Sequence, residues 1–250
     1  MNKVFFIIFF ASSLFGAEID LKICEKSLYS QNGEDGVLAK IFQVIPPVSK
    51  FCVEFGGYDG VTDSNTLLLR LQGWQAVQFD RQYQIPKYNL YKEFITAETI
   101  NDLFDKYNVP SDLDLLSIDI DYNDFYVWKA IRCRPAVVVI EYNATHLPHE
   151  DRVVKYRPFY IGDDTNYYGA SILALYHLGR SKGYSLVYAD ANGVNLFFIR
   201  DDLLTHDIQF KNINDVEKIY RYPTYGKGPN GGHRQDYKNR EYVSSGDLLK

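Results

Sequence analysis

The sequence predicts an α/β fold in which a doubly wound, mostly parallel seven-stranded sheet ends in an antiparallel hairpin. Runs of strand-forming residues alternate with segments of helical spacing along most of the 250 residues. Residues 136–142 form a near-continuous apolar run, which is typical of a strand covered on both faces. Residues 184–188 and 195–199 are strand-like runs joined by a turn signal at 190–193, which predicts an antiparallel pair.

The first helix is expected at residues 33–42, after a polar entry loop. Asn32 suits the cap of this helix, and two prolines at 46–47 end it. The loop before it has two interpretations. It is a plain helix cap, or it crosses a cofactor crevice in which Gln31 reaches the ligand.

A glycine turn follows the first strand, residues 51–55, and precedes a helical run at 67–71. Glu54 leads into it, and its glycines are Gly56, Gly57 and Gly60. Glycines let the backbone approach a ligand, and a helix start offers N–H groups to an anion. Glycine turns are also common as plain architecture, and the dinucleotide fingerprint G-x-G-x-x-G is absent, so both interpretations stay open at this point.

The second strand, residues 75–80, ends on Asp80, about twenty residues after Gly60. A carboxylate at this place usually accepts hydrogen bonds from the ribose of a nucleotide-type cofactor. Further strands are expected at residues 92–96 and 113–121, and further helices at residues 97–104, 124–131 and 169–183.

Two long segments lack periodicity. Residues 143–168 contain His146, several acids and many aromatic residues. A connection of this length in a compact domain is usually functional, so we expect it to cover the site. Residues 220–250 form an irregular C-terminal tail, whose tyrosines either pack it on the surface or bind substrate.

Residues 1–17 combine Lys3 with a short apolar run, the layout of a secretory signal peptide cleaved after Ala17. The run is too short for a comfortable membrane span, and no span is expected in the mature chain. Residues 18–250 then form a single domain, exported to the periplasm or secreted. The alternative is an uncleaved anchor, or a cytoplasmic chain whose start is merely hydrophobic.

The formal net charge is −5, with charges of both signs interspersed, so we expect no nucleic-acid surface built on a basic field. The three cysteines are an odd number without metal-like spacing, so we expect no disulfide framework.

Five sequence phrases together resemble the FkbM-like branch of class I S-adenosylmethionine-dependent methyltransferases, which have a Rossmann-like sheet. An acid two residues before the glycine turn is similar to motif I of that class. The phrases lie in order across most of the chain: SQNGEDG at 30–36, VEFG at 53–56, LSIDID at 116–121, VIEYN at 139–143 and GVNLFF at 193–198.

This resemblance implies S-adenosylmethionine as the cofactor, bound at the carboxyl ends of the strands. By position, its methionine part would lie beside Glu54 and the three glycines, its ribose beside Asp80, and its adenine beside Thr96 and Ala97. Asp119, at the end of the fourth strand, would face the amino group or the reacting methyl. The implied reaction is O-methylation of a sugar or another small hydroxyl acceptor.

Methyl transfer from a sulfonium to oxygen needs in-line alignment and a base for the hydroxyl proton. The candidate bases are Asp119, Asp121 and His146, of which we prefer the last two. Tyr122 departs from the resemblance, since relatives usually have a small residue there. A bulky side chain at this position would narrow the acceptor pocket or point to solvent.

No metal site is assigned from the sequence. Residues 119–124 begin like a calcium loop, but the position that requires glycine holds Asp124. A magnesium site that combines Asp119 or Asp121 with Glu141 or Asn143 is the alternative, because Mg²⁺ needs only one or two carboxylates plus waters.

The signal sequence and the cofactor conflict, because S-adenosylmethionine is made and kept in the cytosol. The alternative function is therefore an exported methyltransferase-like binding protein or effector without methyl transfer. Such a protein would bind glycans through the tyrosines of the two long segments.

Overall fold

The structure is a computed structural model that describes residues 18–229 and 231–250. The expected signal sequence at 1–17 lies outside these residues. Within them, no helix has both the length and the apolar character needed to cross a bilayer.

The described residues contain nine strands in two sheets. They are β1 Phe51–Phe55, β2 Gln75–Asp80, β3 Leu90–Lys92, β4 Leu115–Ile118, β5 Val137–Glu141, β6 Val153–Val154, β7 Tyr184–Ala189, β8 Asn195–Arg200 and β9 Tyr242–Val243. The main sheet has the order β3-β2-β1-β4-β5-β8-β7, and β6 pairs with β9 in a separate antiparallel pair. Strands β1 to β5 are parallel, whereas β8 is antiparallel to both β5 and β7. The predicted α/β fold class, including the antiparallel terminal hairpin, is confirmed.

Helices cover the sheet and connect its strands. They are α1 Glu34–Val44, α2 Leu67–Leu71, α3 Ile100–Lys106, α4 Asp124–Ala130, α5 Ile172–Ser181, α6 Val216–Ile219 and α7 Ser245–Leu248, with short 3-10 helices at Leu21–Cys24, Pro86–Tyr88 and Asp201–Leu203.

The core lies on both faces of the sheet, as β5 illustrates. Val138 and Ile140 pack in one apolar cluster, whereas Val137 and Val139 pack in the cluster on the opposite face. All four side chains are fully buried. Side chains alternate along a strand, so a strand covered on both faces needs apolar residues at every position, which explains the unbroken run in the sequence.

The third strand differs from its prediction at 92–96. The observed β3 pairs with the end of β2, with Leu90 opposite Gln78 and Lys92 opposite Asp80. β2 ends at Asp80, whose carbonyl still accepts the N–H of Glu93 at 2.9 Å, and the chain then turns at Thr96 towards α3. Position along the neighbouring strand, rather than local residue preference, fixes where β3 lies.

The segment 143–168 and the C-terminal tail are held together. Pairing of β6 with β9 joins them, and Arg240 adds contacts to Asp163 and Thr165 at 3.0 and 2.9 Å. The guanidinium of Arg240 also lies 4.1 Å from the ring centre of Tyr167. The tail therefore holds the long segment in place.

Candidate functional site

Two adjoining cavities lie at the carboxyl ends of β1, β2 and β4. The inner cavity, about 330 Å³, is lined by residues that follow these strands, including Asp80 and Asp121. The entry-loop cavity, about 260 Å³, is lined by Gln31 and by other residues of the loop before α1. Gly56, Tyr58 and Asp119 line both cavities, so the two spaces meet at the glycine turn. Open α/β sheets bind ligands at this edge.

The glycine turn is built so that backbones approach closely. Gly56 has a φ of +71°, and a Cβ there would lie 2.1 Å from the carbonyl oxygen of Asp119. Gly57 faces Gln78 and Gly60 faces Tyr88. The N–H of Gly60 donates to the carbonyl of Gly57 at 2.6 Å. Of the three predicted glycines, Gly56 is the one whose backbone lines the cavities.

Glu54 holds the segment that connects the glycine turn to α2. Its carboxylate is buried and accepts hydrogen bonds from the hydroxyls of Ser64 and Thr66 and from the N–H of Asn65, at 2.6–2.7 Å. Burial raises the pKa of Glu54, while these three donors act to lower it. The protein's own carboxylate thus occupies the donors before α2 that the sequence offered to an anion.

Asp80 ends β2 and faces the inner cavity. Its carboxylate accepts backbone N–H bonds from Tyr58, Gln82 and Tyr83 at 3.1, 2.6 and 3.0 Å. These bonds fix the direction of the side chain, and a carboxylate has further lone pairs for a ligand hydroxyl. Asp80 therefore both shapes the loop and faces the cavity.

The rest of the inner cavity has an apolar wall. Phe79, Phe94 and Ile95 line it, together with Tyr160 and Ile161 from the covering segment. The predicted adenine contacts, Thr96 and Ala97, follow Ile95 directly but do not belong to this lining: the Thr96 hydroxyl contacts Thr99, and the Ala97 N–H donates to Tyr156.

The entry-loop cavity has a polar lining. Gln31, Asn32, Glu34, Asn65 and Asn195 contribute to it. The Asn195 amide donates to Glu34 at 2.8 Å, and its own buried oxygen has no hydrogen-bond partner among the described residues. A buried acceptor without a donor favours a ligand that brings N–H groups.

The loop before α1 corrects the predicted Asn32 cap. Gly33, with a φ of +94°, occupies the cap position without a side-chain bond. Asp35 organises the loop instead, because one of its oxygens accepts the N–H groups of Leu28, Tyr29 and Ser30 at 2.7–2.9 Å. This carboxylate orients the loop that carries Gln31.

Three acids come together at the inner cavity, which one of them, Asp119, lines. One carboxylate oxygen from each of Asp119, Asp124 and Glu141 lies within 4.8 Å of the other two. Burial, followed by repulsion from neighbouring acids, raises the pKa of Asp119 and of Glu141 well above its ordinary value. Burial raises the pKa of Asp124 to about 7.

Asp121 also lines the inner cavity and is more exposed than these three acids. Its backbone has a positive φ of 67°, and its carboxylate accepts a hydrogen bond from Arg81 at 2.8 Å. Both side chains also line a third space of about 190 Å³, which we call the acidic cavity and which Glu141 and His233 share. The inner and acidic cavities therefore adjoin at the Arg81–Asp121 pair.

Tyr122, the departure from the resemblance, is fully buried and donates to the carbonyl of Lys155 at 3.0 Å. It stacks edge-on against Tyr160. The side chain thus supports the covering segment and does not point to solvent.

His146 does not join the other candidates. It lies in a separate space of about 990 Å³, the tail cavity, with Arg152, Tyr222 and Tyr242. Burial, and then the charge of Arg152, lowers its pKa to about 4. Its ring packs edge-on against Tyr242 with a centroid separation of 4.7 Å.

Sequence reasoning missed three residues of the site: Asp124, Asn195 and Arg81. Asp124 was interpreted only as the first residue of a helix, although it lies close to Asp119 in the sequence. Asn195 lay within the phrase at 193–198 and could have been noticed as a polar residue opening an apolar strand. Arg81 follows Asp80 directly, where only the acid was considered.

No model of a known protein family matches this chain. A search of curated proteins likewise returns no match.

Proposed function

We propose that the chain is an S-adenosylmethionine-dependent O-methyltransferase that acts on a sugar or another small hydroxyl acceptor. The observation that carries this proposal is the meeting of two unlike cavities at Gly56. One has an apolar wall and the carboxylate of Asp80, which suit a nucleoside. The other has amides and carboxylates, which suit an α-amino acid. S-adenosylmethionine joins these two parts in one molecule.

The charges of the site argue against a phosphate-bearing cofactor. Asp80, Asp119 and Asp121 line the inner cavity, and its arginine, Arg81, is paired with Asp121. Glu54 already takes the donors at the start of α2. A pyrophosphate would meet repulsion here, whereas a cationic sulfonium would be attracted.

Within this proposal each part of the cofactor has a partner. Asp80 accepts hydrogen bonds from the ribose hydroxyls, and the apolar wall at Phe94 and Ile95 holds the adenine. The ammonium of the methionine part donates to the buried oxygen of Asn195 and to Asp119, while the amide of Gln31 binds its carboxylate. The sulfonium then lies near Gly56, where the cavities meet.

The acceptor occupies the acidic cavity. Its hydroxyl oxygen attacks the methyl carbon, a C–O bond forms as the C–S bond breaks, and the bonding pair stays on sulfur as a neutral thioether. Asp121 takes the hydroxyl proton, because it lines both the inner and the acidic cavity. His146, the other preferred base, lines the separate tail cavity and is not used.

Calorimetry on the full chain tests the cofactor. We expect S-adenosylmethionine and S-adenosylhomocysteine to bind with micromolar Kd, about −8 kcal/mol, and NAD not to bind. Binding of NAD in preference would contradict the proposal, and so would absence of heat with all three ligands from a folded sample.

The second candidate function is an exported glycan-binding protein. The tail cavity favours it, because Tyr220, Tyr222 and Tyr242 line a wide space there, next to Arg152 and Glu150. Aromatic faces and charged groups together suit a saccharide. A folded chain that binds oligosaccharides in this cavity, and neither cofactor ligand, would favour this alternative.

A further inference from the structure

We propose that Asp119, Asp124 and Glu141 hold a hard divalent cation, Mg²⁺ or Mn²⁺, between the inner cavity and the acidic cavity. Asp119 lines the first cavity and Glu141 lines the second. A cation on these ligands would therefore lie where the proposed methyl donor and its acceptor meet. The cation site rests on the three carboxyl groups together with the buried oxygens of Asp124 and Glu141, whereas its role towards the acceptor rests on the proposed function.

The state of Asp124 points to a ligand. The residue is fully buried, and its Oδ1 accepts the N–H of Ile120 at 2.9 Å. Its Oδ2 is buried and has no hydrogen-bond partner among the described residues, and the same holds for Oε2 of Glu141. A buried carboxylate oxygen without a donor is costly, and a cation would satisfy it.

Basic side chains do not fill this need. Over 18–229 and 231–250, no lysine, arginine or histidine forms an ion pair with any of the three acids, and the nearby Arg81 pairs with Asp121. One carboxylate oxygen from each acid lies within 4.8 Å of the other two. Because like charges repel at this distance, a divalent cation would lower the electrostatic free energy of the cluster.

The geometry fits a six-coordinate ion. The three ligand oxygens lie within 4.8 Å of one another. An octahedral Mg²⁺ with oxygen distances of about 2.1 Å places its ligands roughly 3 to 4 Å apart, so a small inward rotation of the side chains suffices. Three carboxylates would leave coordination positions for water and for the acceptor's hydroxyl oxygen, whose pKa the cation would lower.

Electron paramagnetic resonance tests the site by measuring how Mn²⁺ binds to the full chain. The protein is first freed of metal with EDTA, and no cofactor is added. We expect one saturable Mn²⁺ site with a Kd at or below about 1 mM, from which Mg²⁺ displaces the ion. Absence of saturable binding to the folded wild type would overturn the proposal.

Variants locate the ion. Asp124→Asn and Glu141→Gln should each weaken Mn²⁺ binding at least about tenfold, because each removes a charged ligand. Asp80→Asn, a matched loss of one acid from the same cavity, should leave it unchanged. Wild-type Mn²⁺ affinity in both cluster variants would place the ion elsewhere and overturn the proposal.

Two further measurements, the Tm with Mn²⁺ and the binding of S-adenosylhomocysteine, distinguish loss of the metal site from misfolding and from loss of the cofactor site. Mn²⁺ should raise the Tm of the wild type and of Asp80→Asn but not that of Asp124→Asn, and Glu141→Gln provides the same comparison if Asp124→Asn does not fold. S-adenosylhomocysteine binding, measured separately, should fall in Asp80→Asn and persist in Asp124→Asn. Failure of the methyltransferase proposal would remove the second result and leave the first.

Discussion

Gly56 and the carbonyl of Asp119 are so close that a Cβ on the glycine would lie 2.1 Å from that oxygen. The two residues follow β1 and β4, which are neighbours in the sheet. The contact fixes the distance between the glycine turn and the acid that borders both cavities. Glycine at this position is therefore required by packing before any ligand is considered.

Gly56→Ala should destabilise the protein and abolish cofactor binding. The substitution strains a positive φ, which costs about 1 kcal/mol, and its methyl group also displaces Asp119. Urea unfolding and calorimetry with S-adenosylhomocysteine measure the two effects.

Gly73→Ala is the matched control. Gly73 also has a positive φ, +88°, but its Cβ would meet no atom of the described residues within 4 Å. This variant should show the backbone strain alone and bind the ligand as the wild type does. Equal destabilisation in the two variants, with binding retained in both, would refute the packing account.

Asp80→Asn should weaken binding of S-adenosylhomocysteine about tenfold with little change in stability. The asparagine oxygen can still accept the N–H groups of Gln82 and Tyr83, and the exposed N–H of Tyr58 can bind water instead. The charge that faces the ribose is lost. Asp80→Ala loses the loop bonds as well and should lower the Tm. The control is Asp59→Asn, at an acid that accepts the N–H groups of Val61 and Thr62, and it should leave the affinity for S-adenosylhomocysteine unchanged. A loss of affinity as large as in Asp80→Asn would argue against the ribose contact.

Glu54→Gln should lower the free energy of unfolding by about 1–3 kcal/mol. Three donors converge on the carboxylate of Glu54, and the NH₂ group of a glutamine would leave at least one donor without an acceptor. Urea unfolding measures this loss. Glu217→Gln, on an exposed residue of α6, controls for the change in charge. Stability equal to the wild type in Glu54→Gln would contradict the supporting role.

His146 should make stability depend on pH below neutrality. Its folded pKa of about 4 is below the unfolded value of 6.5, so the unfolded chain binds the proton first. The stability that neutral His146 contributes is complete above pH 6.5 and is lost as the pH falls towards 4. Between pH 7 and 5 the wild type should lose on the order of 2 kcal/mol more than His146→Gln.

Urea unfolding at several pH values provides that comparison. His206→Gln, on a largely exposed side chain, should follow the wild type and controls for the loss of one histidine. If His146→Gln also follows the wild type through this range, the histidine is not kept neutral by burial.

Local sequence patterns predicted correctly those helices and strands whose position does not depend on pairing with a distant strand. The unbroken apolar run around Val138 predicted a doubly covered strand, and α2 lies at the predicted residues 67–71. The third strand was misplaced because its position depends on pairing with Gln78 and Asp80, contacts that a local window does not contain.

The site was predictable only where one strand end determines it. Asp80 and Asp119 follow from that rule, since each ends or directly follows a parallel strand. The burial of Asp124 and of the Asn195 oxygen, which lacks a partner in the described part of the chain, depends on how separate elements pack, so a single sequence does not reveal it. The position of His146 also depends on such packing, because its segment carries it into the lining of the tail cavity.

The pairing of β6 with β9 has a consequence for biosynthesis. Arg240 and Tyr242 hold the segment whose Tyr160 and Ile161 line the inner cavity. At about 5–20 residues per second, a ribosome needs on the order of 5 to 20 s after finishing β5 to reach β9. During that interval the segment that covers the inner cavity is not yet held by β9. Binding of a small molecule in this cavity would therefore follow the synthesis of β9.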